Sequence, residues 1–225
     1  MPTLKFGLKA APLKLILIGD GAVGKTSLVK AYVQKAFQKD YLMTVGVDIS
    51  IKQLNLDGHQ FSLTIHDIAG QERFAEIRSI FFNGANMAIA VFDVTRRQSL
   101  ENIAEIWLPQ LVDTVNDPNL SIYLIANKID LEENREILQA DCELTYRRLQ
   151  RNFKMLNWAG YLETSALTHY NVNEAFLDLS KAYIEKSGLD LRPKRKIRKK
   201  RVLLKKTSDK KKVSNKSTKR KPASD

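Results

Sequence analysis

At 225 residues and 44% apolar, the chain has room for one domain of ordinary size, with its own core, plus an appendage. Its net charge of +12 is uneven, because Leu191 to the end holds 17 of the 37 basic residues against two Asp, leaving residues 1–190 at −3. No run approaches the ~18 to 20 apolar residues of a membrane span, no secretory signal is expected at the start, and the lone Cys142 excludes an internal disulfide and a cysteine-rich metal site.

Leu13–Ile18 reads as a short buried strand. It runs into Gly19-Asp-Gly-Ala-Val-Gly-Lys25-Thr26, then Ser27, which fits the phosphate-loop pattern of Gly, four residues, Gly, Lys and Ser or Thr. From Lys25 to about Ala36, the residues Leu28, Val29, Tyr32, Val33 and Ala36 recur at helical spacing. Strand, Gly-rich turn and helix together are the context this motif requires. Gly21, Ala22, Val23 and Gly24, with Lys25, Thr26 and Ser27, form the candidate polyphosphate cradle. Backbone N–H groups curl around the phosphates, and the helix N-terminus adds its positive dipole end. In such a loop the lysine reaches the outer phosphates and the hydroxyl of the next residue binds Mg²⁺. A Gly-containing turn with a chance Lys-Thr is the plainer alternative.

Phe37–Thr44 lacks a clean period and reads as a loop. Two strand-like runs follow, Val47–Leu56 and Gln60–His66, joined by the hairpin signal Asp57-Gly58. Both alternate, with Val47, Ile49 and Ile51, then Phe61, Leu63 and Ile65, on one face. Met87–Phe92 and Ile122–Ala126 are apolar runs ending at Asp93 and Asn127. Between them Leu100, Ile103, Ala104, Trp107, Leu108 and Leu111 mark an amphipathic helix. Leu131 to about Leu156 holds a polar helix or two, including Cys142, which reads as structural. Gly160–Leu162 reads as a last short strand, and Val172, Ala175, Phe176, Leu179, Ala182 and Tyr183 as the stripe of a final helix. Alternating strands and helices imply an α/β phosphate-loop domain. We expect a six-stranded, mostly parallel sheet with one antiparallel edge strand and about five helices.

Ligands of such a sheet gather at the carboxyl ends of its strands, and the polar motifs all fall there. Asp67, Asn127 and Thr164-Ser165-Ala166 each follow a strand-like run, as the phosphate loop does. In Asn127-Lys128-Ile129-Asp130, the carboxylate of Asp130 can accept two N–H bonds from one edge of guanine, a donor pair that adenine lacks. The Lys128 stem can cover a ring face, and Asn127 can tie neighbouring loops. Alone, such a tetrapeptide is a common turn composition.

These motifs resemble the Ras-superfamily small GTPases, and within them the Rab branch, over about Leu13 to Lys186. The resemblance rests on Gly19–Ser27, Thr44 in Thr-Val-Gly-Val-Asp, Asp67-Ile-Ala-Gly70-Gln71 with Glu72-Arg73-Phe74, Asn127–Asp130, and Glu163-Thr-Ser-Ala166. It implies that Thr26 and Thr44 ligate Mg²⁺, with Asp67 holding it through water. Gly70 and Thr44 would sense the γ-phosphate, so that 37–49 and 67–80 are switches. Gln71 would orient the attacking water, with Lys25 and Gly70 completing the catalytic set. Phe37 would pack on the base edge, and Ser165, Ala166 and the adjoining Leu167 would support the base. Each has a plainer alternative: Phe37 as core, Thr44 as a loop hydroxyl, Gln71 as surface, Ser165 as a cap. His66 and Ile49 replace the Trp and Phe that many Rab proteins carry on the surface their effectors read. Leu167 replaces the usual Lys.

The implied function is a GTP/GDP switch that hydrolyses GTP with Mg²⁺, acts as a monomer, and engages an exchange factor, an activating protein and effectors. The alternative is a GTP-binding scaffold module that never turns over. No arginine is expected to act in cis, so unaided turnover should be slow, on the order of 10⁻⁴ to 10⁻² s⁻¹. The expected organisation is an N-terminal extension at 1–12, a G domain at 13–187, and a disordered polybasic tail at 188–225. With no cysteine among the last residues, prenylation of the usual kind is not expected. The cations at 192–221 are expected to meet an anionic membrane face from the cytoplasm. Nucleic acid or nuclear import is the alternative.

Overall fold

The computed structural model describes residues 11–33, 46–56, 58–70, 75–115 and 117–188. Six strands are formed by β1 (Ala11–Ile18), β2 (Val47–Leu56), β3 (His59–Ile68), β4 (Met87–Asp93), β5 (Ser121–Asn127) and β6 (Asn157–Thr164). They lie in the order β2-β3-β1-β4-β5-β6, and every pairing is parallel except β2 with β3. The helices are α1 (Lys25–Val33), α2 (Ala75–Phe82), α3 (Arg97–Asn102), α4 (Leu108–Thr114), α5 (Gln139–Asn152) and α6 (Val172–Ser187). A π-helical turn, Ile103–Trp107, fuses α3 and α4 into one body, leaving five α-helical bodies and the short 3₁₀ turn Glu132–Asn134 among the described residues. Pro109 accounts for that turn. It has no N–H to donate, its ring crowds the carbonyl four residues back, and the Leu108 N–H bonds Ile103 instead.

Helices cover both faces of the sheet, which is why β4 and β5 read as apolar runs and β1, from Leu13 on, is broken only by Lys14. Leu13, Leu15 and Leu17 of β1 face one layer with Met87, Ile89 and Val91 of β4. There they meet Leu28, Val29 and Tyr32 of α1 and Phe176, Leu179 and Tyr183 of α6, with the Tyr32 and Phe176 rings stacked at 3.9 Å. Ile16 and Ile18 face the other layer with Ala88, Ala90 and Phe92, against Leu100, Ile103, Trp107, Leu108 and Leu111. Cys142 and Leu149 of α5 close that side, and Cys142 is a free, buried thiol.

The hairpin corrects one expectation. Ile49 pairs with His66 and Ile51 with Thr64, so the Ile49/Ile51 face is opposite the one that buries Phe61, Leu63 and Ile65. Ile49 and Ile51 are 53% and 62% exposed, whereas Leu54 and Leu56 of β2 join the core. Alternation alone marks two faces without saying which faces in. Strand β6 is also longer than Gly160–Leu162, because its half-buried residues at the sheet edge carry little apolar signal. The loop at Phe37–Thr44, the tail from 188 onward and residues 1–10 lie outside the described residues, save Gly188.

Candidate functional site

The phosphate loop leaves β1 at Gly19 and enters α1 at Lys25. Gly24 adopts φ +99°, and a Cβ there would stand 2.3 Å from the Asn127 amide nitrogen, so this turn admits only glycine. Lys25 is 6% exposed, and its Nζ donates to the Gly19 and Asp20 carbonyls at 2.7 and 2.8 Å. Burial pushes its ammonium down to about 8, against the opposing pull of Asp67 and Asp20. Leu17 of β1 sits beside Asp67 of β3, and this register brings the Asp67 carboxylate to the start of α1. There the Thr26 hydroxyl donates to its Oδ2. Gly70 closes the corner: a Cβ on it would lie 2.4–2.5 Å from Asp20 and Gly19 backbone atoms.

The second half of the site stands at the ends of β4, β5 and β6, where Asp93, Asn127 and Thr164 lie in one row. The Asn127 amide donates from Nδ2 to the Val23 carbonyl at 2.9 Å. Its Oδ1 accepts from Thr164 Oγ1 at 3.1 Å and from the Ala166 N–H at 3.3 Å. One buried side chain thus joins the phosphate loop to both following loops. Lys128, at φ +70°, sets its Nζ 2.5 Å from Asp93 Oδ2. Asp130 Oδ1 accepts from Ser165 Oγ at 2.6 Å, and Ser165 Oγ accepts from the Thr168 N–H. A cavity of about 200 Å³ opens among Gly24, Ser27, Asn127, Lys128, Asp130, Ala166 and Leu167.

Comparison with known proteins gives the same frame. The Ras family model matches residues 14–185. The Ras-related protein Rab-1 of Theileria parva is 40% identical over 173 residues, covering 77% of this chain and 74% of that protein. Rab-13 of Rattus norvegicus is 34% identical over 175 residues, 78% of this chain and 81% of its own. Rab-10 of Diplobatis ommata is 35% identical over 174 residues, 77% and 82%. The chain belongs to the Ras family.

It is a small GTPase near the Rab branch, which binds guanine nucleotide and hydrolyses GTP. Its phosphate-loop, Asp67, Gly70, Asn127–Asp130 and Ser165–Leu167 positions converge on the carboxyl edge of β1, β3, β5 and β6. Phe37, Thr44 and Gln71 lie outside the described residues. A larger cleft, about 550 Å³, is lined by Ser165 and Thr168 and shares Asp130 with the smaller cavity. Of the two, the smaller alone also includes Gly24 and Lys128.

The structure adds supporting contacts that no motif marked. Glu163 takes a two-pronged ion pair from Arg135 and a bond from the Tyr161 hydroxyl at 3.1 Å, and these fix the strand before Ser165. Asp20 accepts from Asn102 Nδ2 and Trp107 Nε1, both at 2.8 Å, which ties the phosphate loop to the π-helical turn. Contrary to expectation, an arginine also stands at the phosphate loop: Arg96 Nη2 donates to the Gly21 carbonyl at 2.9 Å. Neither feature has a local signature, since both pairs are more than 70 residues apart in the chain.

Proposed function

We propose that the G domain, residues 13–187, is a Mg²⁺-dependent GTP/GDP switch that reads guanine through Asp130 and recruits effectors through 37–49 and 67–80 in its GTP state. The observation that carries this reading is Asn127, whose three hydrogen bonds lock the phosphate cradle to the base pocket. An ammonium has three donors. Two of those of Lys25 go to Gly19 and Asp20, and the third reaches an outer phosphate. The Asp130 carboxylate accepts from N1–H and the 2-amino group of guanine, while Ser165 holds it in place. The Ala166 N–H and Leu167 flank the base carbonyl.

The hydroxyl of Thr26 and the carboxylate of Asp67 are hard oxygen donors within bonding reach of each other, a set that suits Mg²⁺. Thr44 would complete it. When bound, Mg²⁺ supplies neutralising charge to the β- and γ-phosphate oxygens. Gln71 orients water in line with the leaving oxygen, and Gly70 supplies an N–H to the γ-phosphate, so both loops tighten in the GTP form. An exchange factor and an activating protein then set the cycle.

The tail at 192–221 engages an anionic membrane surface, each cation near it adding up to ~1 kcal/mol. No helix among the described residues is long and apolar enough to cross a membrane. Single-turnover hydrolysis by the purified chain tests the reading, with GTP or ATP and with Mg²⁺ or chelator. GTP should be cleaved only with Mg²⁺ and ATP not at all, whereas equal cleavage of ATP overturns it. For the tail, flotation with anionic but not neutral liposomes at ~0.1 M salt is expected, fading as salt screens the charge. Binding to RNA instead would move the tail to a nucleic-acid role.

A further inference from the structure

We propose that Arg96 is a catalytic residue supplied by this chain to its own γ-phosphate. The inference rests on the nucleotide placement proposed above, in which Gly70 meets the γ-phosphate, and adds that the γ-phosphate also lies beside Gly21. Its backbone is held by the end of β4. Thr95 bonds Asp93 Oδ1 through both N–H and Oγ1, at 2.9 and 2.7 Å. The Arg96 N–H bonds the Asp93 carbonyl at 3.0 Å, and the Arg96 carbonyl accepts from buried Ser99 at 2.6 Å. From this turn the side chain crosses to the phosphate loop, where Nη2 meets the Gly21 carbonyl at 2.9 Å.

Exposure and engagement separate Arg96 from the other arginines nearby, including Arg78, which lines the same cleft. Arg97 is engaged away from the site, with Glu136 and Asp141. Arg78 is 3% exposed, with its guanidinium 4.3 Å from the Trp107 ring and Nη1 on Gln110, so packing fixes it. The Arg96 side chain is 41% exposed, is 4.0 Å from Asp20 Oδ2, and has a buried Nε without a partner among the described residues. A guanidinium carries five N–H donors in a planar fork made for phosphate. Most of this one is unspent, and it lines a cleft of about 390 Å³ with Asp20, Gly21 and Gly70.

In the diphosphate state the fork rests on the Gly21 carbonyl. With GTP bound, it turns from that carbonyl onto the γ-phosphate oxygens. During transfer the water oxygen–phosphorus bond forms and the phosphorus–β-oxygen bond breaks. The electron pair leaves on GDP, and the water proton ends on the phosphate. Arg96 stays protonated throughout and offsets the charge that spreads over the transferring group, a role worth about 10³ to 10⁵ in rate where an arginine fills it.

The test uses the full-length chain without any activating protein. GDP affinity, single-turnover GTP hydrolysis, and capture of aluminium fluoride by the GDP form (observed by ¹⁹F NMR) are measured for wild type, Arg96→Ala and Arg96→Lys. Wild type should capture aluminium fluoride alone. Arg96→Ala should lose that capture and slow hydrolysis at least ~10²-fold, with GDP affinity within about threefold. Arg96→Lys keeps the charge and stem but loses the fork, and should fall between the two. Capture absent from wild type, or hydrolysis and capture unchanged in either variant, overturns the proposal. Wild type that binds no GDP overturns the nucleotide placement itself, and the affinity measurement registers that separately.

Discussion

Asn127→Ala probes the connection on which both halves of the site depend. The side chain is 1% exposed and makes three hydrogen bonds, to Val23, Thr164 and Ala166. Truncation strands the Val23 carbonyl and the Ala166 N–H in the interior, while the Thr164 hydroxyl can rotate toward another partner. At about 1 kcal/mol for each lost bond, plus part of the cost of two unmet buried groups, the loss is about 3–4 kcal/mol. For a domain of this size that lowers Tm by about 10 °C, at roughly 2–4 °C per kcal/mol. Thr164→Val removes one of the bonds and should cost about 1 kcal/mol. Calorimetry at saturating GDP checks both variants, and GDP release gives a second reading, since Val23 is no longer tied to the base loop. We expect release at least ~10²-fold faster for Asn127→Ala, the rate equivalent of about 3 kcal/mol. A Tm loss below 3 °C, or equal losses in the two variants, would refute the bridging role.

Two further outcomes follow from close packing. Gly70→Ala places a methyl 2.4–2.5 Å from the Asp20 and Gly19 backbones, so the loop must move away. A shift of ~1 Å at a reacting centre costs about 10² in rate, and single-turnover hydrolysis should fall by that factor while GDP binding persists. Cys142 is wholly buried, and burial pushes its thiol up, so little thiolate forms. Its reaction with Ellman's reagent should be at least ~10³-fold slower in the native chain than in denaturant, as the equilibrium constant of opening dictates. A native rate near that of a free thiol would show that the α5 layer opens readily.

Much of this architecture was legible because the parallel strands are buried on both faces. Met87–Phe92 and Ile122–Ala126 are apolar without interruption and end at Asp93 and Asn127, while Leu13–Ile18 is broken only by Lys14 and runs into Gly19 of the phosphate loop. The phosphate loop was legible for another reason: its glycines, lysine and threonine must be contiguous to wrap one polyphosphate. The edge strands were harder to read. Ile49 and Ile51 look like core residues by type, yet the register with His66 and Thr64 turns them to solvent. Least legible were the groups that act across the fold. Arg96 and Trp107 sit 75 and 87 residues from their phosphate-loop partners, and only the packed sheet and the π-helical turn bring them there. A basic residue in an exposed turn carries no local mark of what it will meet.

Base recognition by Asp130 is the central claim, and Asp130→Asn tests it most directly. Replacing the carboxylate removes the acceptor for two guanine donors, and the new amide can donate to the 2-carbonyl of xanthine. Hydrogen bonds to a charged group contribute about 1.5–3 kcal/mol each. GDP affinity should therefore drop by at least ~10²-fold, and xanthosine diphosphate should become the preferred ligand, as measured by competition at equilibrium. The account predicts that inversion. An Asp130→Asn protein that still prefers GDP over xanthosine diphosphate would contradict it.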